Sequence, residues 1–255
     1  MEAYSDFARV YDTFMDATPY EEWCEFLVSL LKKEGITDGL LLDMGCGTGT
    51  LTELLEQAGY DMIAIDNSMD MLQVAMEKQR EEKKDSILYL LQDMREFELY
   101  GTVRAVISIC DSVNYLLDKE ELSKTFGLVN NYLDPDGIFL FDFNTVYKYK
   151  EVIGEAVIAE NREECSFIWE NYYDDETHMN EYDLTIFVKE GTLYRKFNET
   201  HYQRGYTLLE VKEALQEAGL IFLEAFDGET HKQPHEKSER IYVMAKEQGK
   251  GMERT

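Results

Sequence analysis

The sequence predicts an α/β protein: a Rossmann-like, mostly parallel sheet with a small antiparallel sheet inserted into it. Three observations carry this expectation. Strand-like and helix-like segments alternate from residue 40 to about residue 150, the pattern of parallel strands joined by crossover helices. The alternation then breaks, and over 150–206 strand-like runs follow one another across short turns. Finally, Leu40–Thr50 (LLLDMGCGTGT) runs an apolar strand through Gly45, Gly47 and Gly49 into a helix. Such a turn lets a ligand lie close to backbone N–H groups at a helix N-terminus.

Each element follows from its own pattern. The N-terminus is rich in aromatics (Tyr4, Phe7, Tyr11, Phe14), and Thr18-Pro19-Tyr20-Glu21 reads as a capping box with proline in the first helical position. The helix behind it would bury Trp23, Phe26, Leu27, Leu30 and Leu31 and stop at Gly35, so that 1–35 form a helical cover over the mouth of the sheet. Strand one is 40–44, and its helix carries Leu51, Leu54, Leu55 and Ala58 on one face. Strand two is Asp61–Ile65, followed by a helix capped by Ser68 and carrying Met71, Leu72 and Ala75. Strands three and four are Ile87–Leu91 and Val103–Ile109; a helix from Asp118 and the turn Asp134–Gly137 lead to strand five, Ile138–Phe143. The inserted runs are Glu164–Tyr173, His178–Lys189 and Leu193–Arg204, with Tyr182, Leu184, Ile186 and Val188 on one face. A second capping box, Thr207 to Glu210, restarts the α/β pattern with a helix to Gly219 and strands Ile221–Phe226 and Arg240–Ala245. Residues 1–149 and 207–246 thus form one domain, 150–206 an inserted lid too small to fold well alone, and 247–255 a flexible tail.

Composition narrows the function classes. The 255 residues carry 25 basic and 52 acidic side chains, a formal charge of −27, which repels nucleic acid unless a local patch intervenes, and none stands out. No apolar run approaches the roughly 20 residues of a membrane span, and MEAYSDFARVYD has no signal-peptide pattern. Cys24, Cys46, Cys110 and Cys165 are scattered without a C-x-x-C pair, as free thiols of a cytoplasmic protein would be. His231 and His235 flank Pro234 in a charged loop and share no helix face, so no metal site is expected.

The chemistry concentrates at strand ends, where open parallel sheets bind ligands. Asp43 and the glycines close strand one, and Asp66 closes strand two, placed to accept hydrogen bonds from both hydroxyls of a ribose. Gln92-Asp93-Met94 follows strand three and Cys110-Asp111-Ser112 strand four. NAD could use a similar turn, but its fingerprint is G-x-G-x-x-G, whereas the spacing here is G-x-G-x-G with an acid two residues ahead.

Asp43-Met44-Gly45-Cys46-Gly47-Thr48-Gly49, with Ile65-Asp66-Asn67-Ser68 and Asp93-Met94, resembles the class I S-adenosylmethionine (SAM)-dependent methyltransferases over about 40–246. That family has a seven-stranded sheet whose last strand is antiparallel. Phe7-Ala8-x-x-Tyr11-Asp12 and the inserted sheet resemble a bacterial small-molecule group within it, which includes N-methyltransferases of nucleotide-linked amino sugars. The resemblance implies that Gly45–Gly49, Cys46 and Gly47 included, pass under the methionine part of SAM while Asp43 orients its amino group. It further implies that Asp66 takes the ribose hydroxyls, Asn67 packs beside the adenine, and Asp93 accepts from the adenine amino group with the Met94 backbone against the ring. The Cys110 main chain would face the methionyl amino group, and Tyr11 would close over the cofactor. S-adenosylhomocysteine would be the product.

Methyl transfer from a sulfonium needs alignment and exclusion of water, plus a base if the acceptor is an ammonium or hydroxyl. Asp111, His201 and Tyr11 are the candidates. His201 either points into the crevice or caps the inserted sheet, and strict alternation puts it on the opposite face from Arg204. Residues 151–206 hold 13 acidic and 5 basic side chains, a net of −8, which disfavours a polyanionic acceptor. Cys110-Asp111-Ser112-Val113 stands where amide-type nitrogen methyltransferases carry (N/D)-P-P-(Y/F). The reading is therefore transfer to nitrogen or oxygen of a small-molecule acceptor. A SAM-binding regulatory or scaffold protein and an NAD-dependent oxidoreductase are the alternatives, and the oligomeric state is open.

Overall fold

The computed structural model describes residues 7–81 and 85–250; the expected role of Tyr4 and the last residues of the tail fall outside them. Helices α1 (Ala8–Phe14) and α2 (Tyr20–Lys33) precede β1 (Leu40–Met44), α3 (Thr50–Gln57), β2 (Asp61–Asp66), α4 (Met69–Glu81), β3 (Ile87–Leu91) and β4 (Val103–Ser108). A short turn of helix, Ser112–Tyr115, leads to α5 (Lys119–Tyr132) and β5 (Leu133–Asn144). The insertion follows as a π-helical turn, Lys148–Ile153, and β6 (Val157–Asn161), β7 (Cys165–Asp174), β8 (Met179–Glu190) and β9 (Leu193–Arg204). α6 (Leu208–Glu217), β10 (Leu220–Asp227) and β11 (Arg240–Glu247) complete the chain.

The main sheet has seven strands in the order β10-β11-β5-β4-β1-β2-β3, and β11 runs antiparallel to both neighbours. The order reverses direction at β1/β4, which opens a crevice at the carboxyl ends of those strands. Strand alternation divides the core between the two faces. Phe139, Phe141 and Phe143 pack with Phe126 and Val129 of α5 and Val211 and Leu215 of α6. Ile138 and Leu140 pack on the other face with Leu27 and Leu31 of α2 and Leu51 and Leu55 of α3.

Helix starts follow local chemistry where the cap is free to act. The Asp118 carboxylate accepts from the Glu121 N–H at 2.8 Å. Thr207 and Glu210 form the reciprocal box, with the Glu210 N–H donating to Thr207 Oγ1 at 3.2 Å and the Thr207 N–H to Glu210 Oε2 at 2.9 Å. At α2 the expected box is absent. Pro19 itself occupies the cap position, and the Thr18 hydroxyl turns back to Met15 Sδ at 3.7 Å. Most of α2 lies along the sheet, with Cys24, Leu27, Leu30 and Leu31 against its face and Trp23 and Phe26 half-buried, while its first residue, Tyr20, joins Tyr11 of α1 at the strand ends. The first residue of the expected tail, Glu247, still belongs to the sheet: it pairs with Leu220 and accepts from the Asp136 N–H at 3.0 Å.

The inserted sheet has four strands, β6-β7-β8-β9, all antiparallel. The strand the sequence did not reveal, β6, is a mostly exposed edge strand with no buried face to impose alternation. The two stems of the insertion are bound together at its base. Thr145 bridges to Tyr206, and the buried Asn114 amide donates to the Asn144 and Arg204 carbonyls at 2.9 and 2.7 Å. Those bonds fix the register of β9 beside the Ser112–Tyr115 turn. The alternation of β9 then sends Glu199, His201 and Gln203 inward, each buried. No helix among the described residues is long and apolar enough to cross a membrane.

Candidate active site

The glycine turn is shaped by two positions that cannot carry a side chain. Gly45 sits at φ +80°, and a Cβ there would lie 2.7 Å from Ser112 Oγ; Gly49, at the same φ, would drive one to 2.5 Å from the Tyr89 hydroxyl. The N–H groups of Gly45 and Cys46 both reach the Ile65 carbonyl, at 2.9 and 3.0 Å, so the turn is laced to the end of β2. Asp66 completes the lacing: Oδ2 accepts from the Gly47 N–H and Oδ1 from the Ser68 N–H, each at 2.8 Å. Burial nonetheless pushes the Asp66 carboxyl up against these hydrogen bonds. Asp43 is likewise buried, accepts from the Thr52 hydroxyl at 2.5 Å, and is pushed up to about 7, by desolvation first and the charge of Asp66 as well.

The third strand-end acid has a partner that the sequence reading missed. Arg95 donates Nε to Asp93 Oδ1 at 2.9 Å and Nη2 to Oδ2 at 2.6 Å, which holds the Asp93 carboxyl below its usual range, and reaches Glu121 at 3.0 Å. The exit of β4 is built on strain. Cys110 and Asp111 are consecutive non-glycine residues at φ +65° and +53°, a conformation that persists only where the surroundings enforce it. The fully buried Asp142 carboxylate enforces it by accepting both their N–H groups, at 3.3 and 2.8 Å. Arg240 bonds Asp142 in turn and meets Asp111 Oδ1 at 2.7 Å.

These strand ends, α1 and β9 line one cavity of about 360 Å³. Of the residues singled out in the sequence, Tyr11, Asp43, Gly45, Cys46, Gly47, Asp66, Asn67, Asp93, Met94, Cys110 and His201 lie in its wall. Gly49 does not; it caps α3 beneath Tyr89. Asp111, expected as a base, does not reach the cavity either. Both its oxygens turn away, one to Arg240 and the other to Gln203 Nε2 at 2.8 Å, so it cannot accept a proton from an acceptor in the cavity.

His201 resolves toward the cavity, with partners on both ring nitrogens. Nδ1 lies 3.1 Å from the Tyr115 hydroxyl and Nε2 lies 3.3 Å from Glu199 Oε2. Its ring stacks on Tyr182 at 4.8 Å, and the Tyr115 and Tyr182 hydroxyls are 2.8 Å apart. Tyr115, Tyr20 and Tyr202 also line the cavity. α1 joins these parts: its Asp12 takes the Thr48 hydroxyl at 2.6 Å and Lys78 at 3.2 Å, and the Phe7 N–H donates to Glu199 Oε1 at 3.1 Å. The two loop histidines stay apart from all this, with His231 stacked on Phe26 at 3.8 Å.

The donor set fits a nucleoside carrying a cationic arm. The turn has no side chain between ligand and backbone, and the acids Asp43 and Asp66 offer acceptors and negative charge, where a phosphate would need cations.

Comparison with known proteins agrees. The family model described as "Methyltransferase domain" matches residues 41–137. A methyltransferase homologue of Geobacillus sp. (strain WCH70) is 36% identical over 245 residues, which are 95% of this chain and 99% of that one. The crystal structure of a SAM-dependent methyltransferase from Clostridium acetobutylicum superimposes with a TM-score of 0.87 at 30% identity, covering 97% of this chain and 100% of that one. A more distant relative is the dTDP-3-amino-3,4,6-trideoxy-alpha-D-glucopyranose N,N-dimethyltransferase of Streptomyces venezuelae, 32% identical over 139 residues, 54% of this chain and 56% of that one.

Proposed function

The chain belongs to the class I SAM-dependent methyltransferases, and we propose that it methylates nitrogen or oxygen of a small-molecule acceptor held between the glycine turn and the inserted sheet, which serves as a lid. The observation that carries this reading is the Tyr115–His201–Glu199 chain, whose tyrosine and histidine stand in the wall of the same cavity as the glycine turn, with Glu199 buried behind them. The amino-sugar methyltransferase of Streptomyces venezuelae supports a small acceptor.

When bound, SAM would supply an electrophilic methyl carbon on a sulfonium, to which an acceptor lone pair would bond while the carbon–sulfur electron pair leaves with sulfur. Asp66 would accept the two ribose hydroxyls, and Asp43 would face the methionyl ammonium near the Cys110 main chain. Asp93, oriented by Arg95, would accept from the adenine amino group, with Asn67 and Met94 beside the ring. Tyr11 on α1 would shut out water. With Nε2 donating to Glu199, Nδ1 of His201 would be left to accept from the Tyr115 hydroxyl. The Tyr115 oxygen can then take the acceptor's proton while passing its own to His201.

Calorimetry of the purified protein with SAM and S-adenosylhomocysteine tests the reading; failure to bind either would overturn it. The same titration has a pH signature. A methionyl ammonium needs an ionised Asp43, whose carboxyl is pushed up to about 7 in the free protein. Because this acid's folded value is raised, the free fold loses stability as pH rises from the ordinary carboxylate range toward 7, whereas SAM affinity rises over the last part of that window. SAM should bind about tenfold more weakly at pH 6 than at pH 8, with a proton released on binding at the lower pH. A flat affinity profile between those values would remove Asp43 from the ammonium site.

A further inference from the structure

Resting on that reading, we propose that the acceptor is a small organic amine that carries no phosphate and enters as a cation, in contrast to a nucleotide-linked sugar. Recognition of a pyrophosphate requires cations free to fork onto its oxygens. Among the described residues the cation in the cavity wall is Arg95, and its guanidinium is already spread over Asp93 and Glu121. The inserted sheet commits its cations in the same way. Arg162 pairs with Asp16 and Glu160, Lys189 with Glu164, and Arg195 with Glu190. Arg204 pairs with Glu210 at 2.8 Å while its guanidinium lies over the Tyr206 ring. Lys196 is exposed and, five positions from His201, belongs to the opposite face of β9. Behind the wall, the half-buried Arg240 is held by Asp111 and Asp142.

What the wall does offer suits an amine. Tyr11, Tyr20, Tyr115 and His201 stand in the wall, together with Leu116 and Leu117. Aromatic faces attract an alkylammonium, and leucines cover its hydrocarbon part. The acids of the crevice add a field that draws cations inward. The same Tyr115–His201–Glu199 chain that would strip a proton from an ammonium then has its substrate beside it, whereas a diphosphate would find the Arg95 of the wall already paired with Asp93 and Glu121.

The test uses the full chain loaded with SAM and a panel of paired probes: a free 3-amino-3-deoxy sugar and its dTDP-linked form, tyramine and benzylamine, and the alcohols matching each. Methylated product is read by mass, and dTDP and inorganic pyrophosphate are titrated separately into the S-adenosylhomocysteine complex. The expected result is methylated amine from phosphate-free probes, with kcat/KM at least about tenfold above the dTDP-linked partner, and no displacement of the amines by dTDP or pyrophosphate. Preference for the dTDP-linked sugar, or competition by dTDP, overturns the proposal and leaves small-molecule methylation standing. Methylation of the alcohols alone overturns the amine while sparing that reading. No product from any probe, with SAM bound, overturns the small-molecule reading itself and the proposal with it.

Discussion

Replacing Asp66 with alanine should weaken SAM binding by 100-fold or more while the protein stays folded. Each hydrogen bond from a ribose hydroxyl to an ionised carboxylate contributes about 1.5–3 kcal/mol, so losing two costs about 3 kcal/mol or more, and each 1.4 kcal/mol is a factor of about ten in affinity. The alanine also strips the Gly47 and Ser68 N–H groups of their acceptor, which loosens the turn where the ligand must lie. The folding cost of those two orphaned N–H groups is partly offset, because burial disfavours the charge of this carboxylate in the free protein. Asp66→Asn keeps one acceptor oxygen and should fall between the two. Calorimetry with S-adenosylhomocysteine, beside a thermal melt, checks this; a dissociation constant within threefold of the parent protein's would remove Asp66 from the cofactor site.

That this acid could be singled out from sequence while others could not follows from the range of the interactions. The glycine turn and Asp66 are announced by residues within about twenty positions of one another, and the Asp66–Gly47 bond spans 19. The caps at Asp118 and Thr207 are closed by residues three positions on, so propensity and structure agree. Thr18 failed the same rule because proline took the cap position from it. The exit of β4 lay beyond local reasoning. Its strained Cys110–Asp111 corner depends on Asp142 and on Arg240, 98 positions further on. An acid inside the apolar run Ile138–Phe143 was the signal that such a partner existed. Without Arg240 in view, Asp111 read as a free base, and with it Asp111 is a tether.

Tyr115 stands in the same relation to His201, 86 positions apart in sequence and 3.1 Å apart in the fold, and it is where the largest catalytic effect is expected. Tyr115→Phe keeps the ring in the wall and removes the hydroxyl that lies 3.1 Å from His201 Nδ1. General base catalysis contributes about 10²–10⁴-fold, so kcat should fall by that order with the amine that turns over best, while the SAM dissociation constant stays within about twofold. His201→Ala should match it in kcat and add a loss of thermal stability, since the ring also stacks on Tyr182. Glu199→Gln should cost less, because an amide oxygen can still accept from Nε2 but no longer stabilises an imidazolium. The deficit in Tyr115→Phe should shrink as pH rises toward the amine's own pKa, where the acceptor arrives already deprotonated. A purely structural histidine predicts the opposite pattern, a lowered melting temperature with kcat and its pH profile unchanged. Full activity of Tyr115→Phe across that pH range would assign the proton to another group and leave Tyr11 as the hydroxyl to test next.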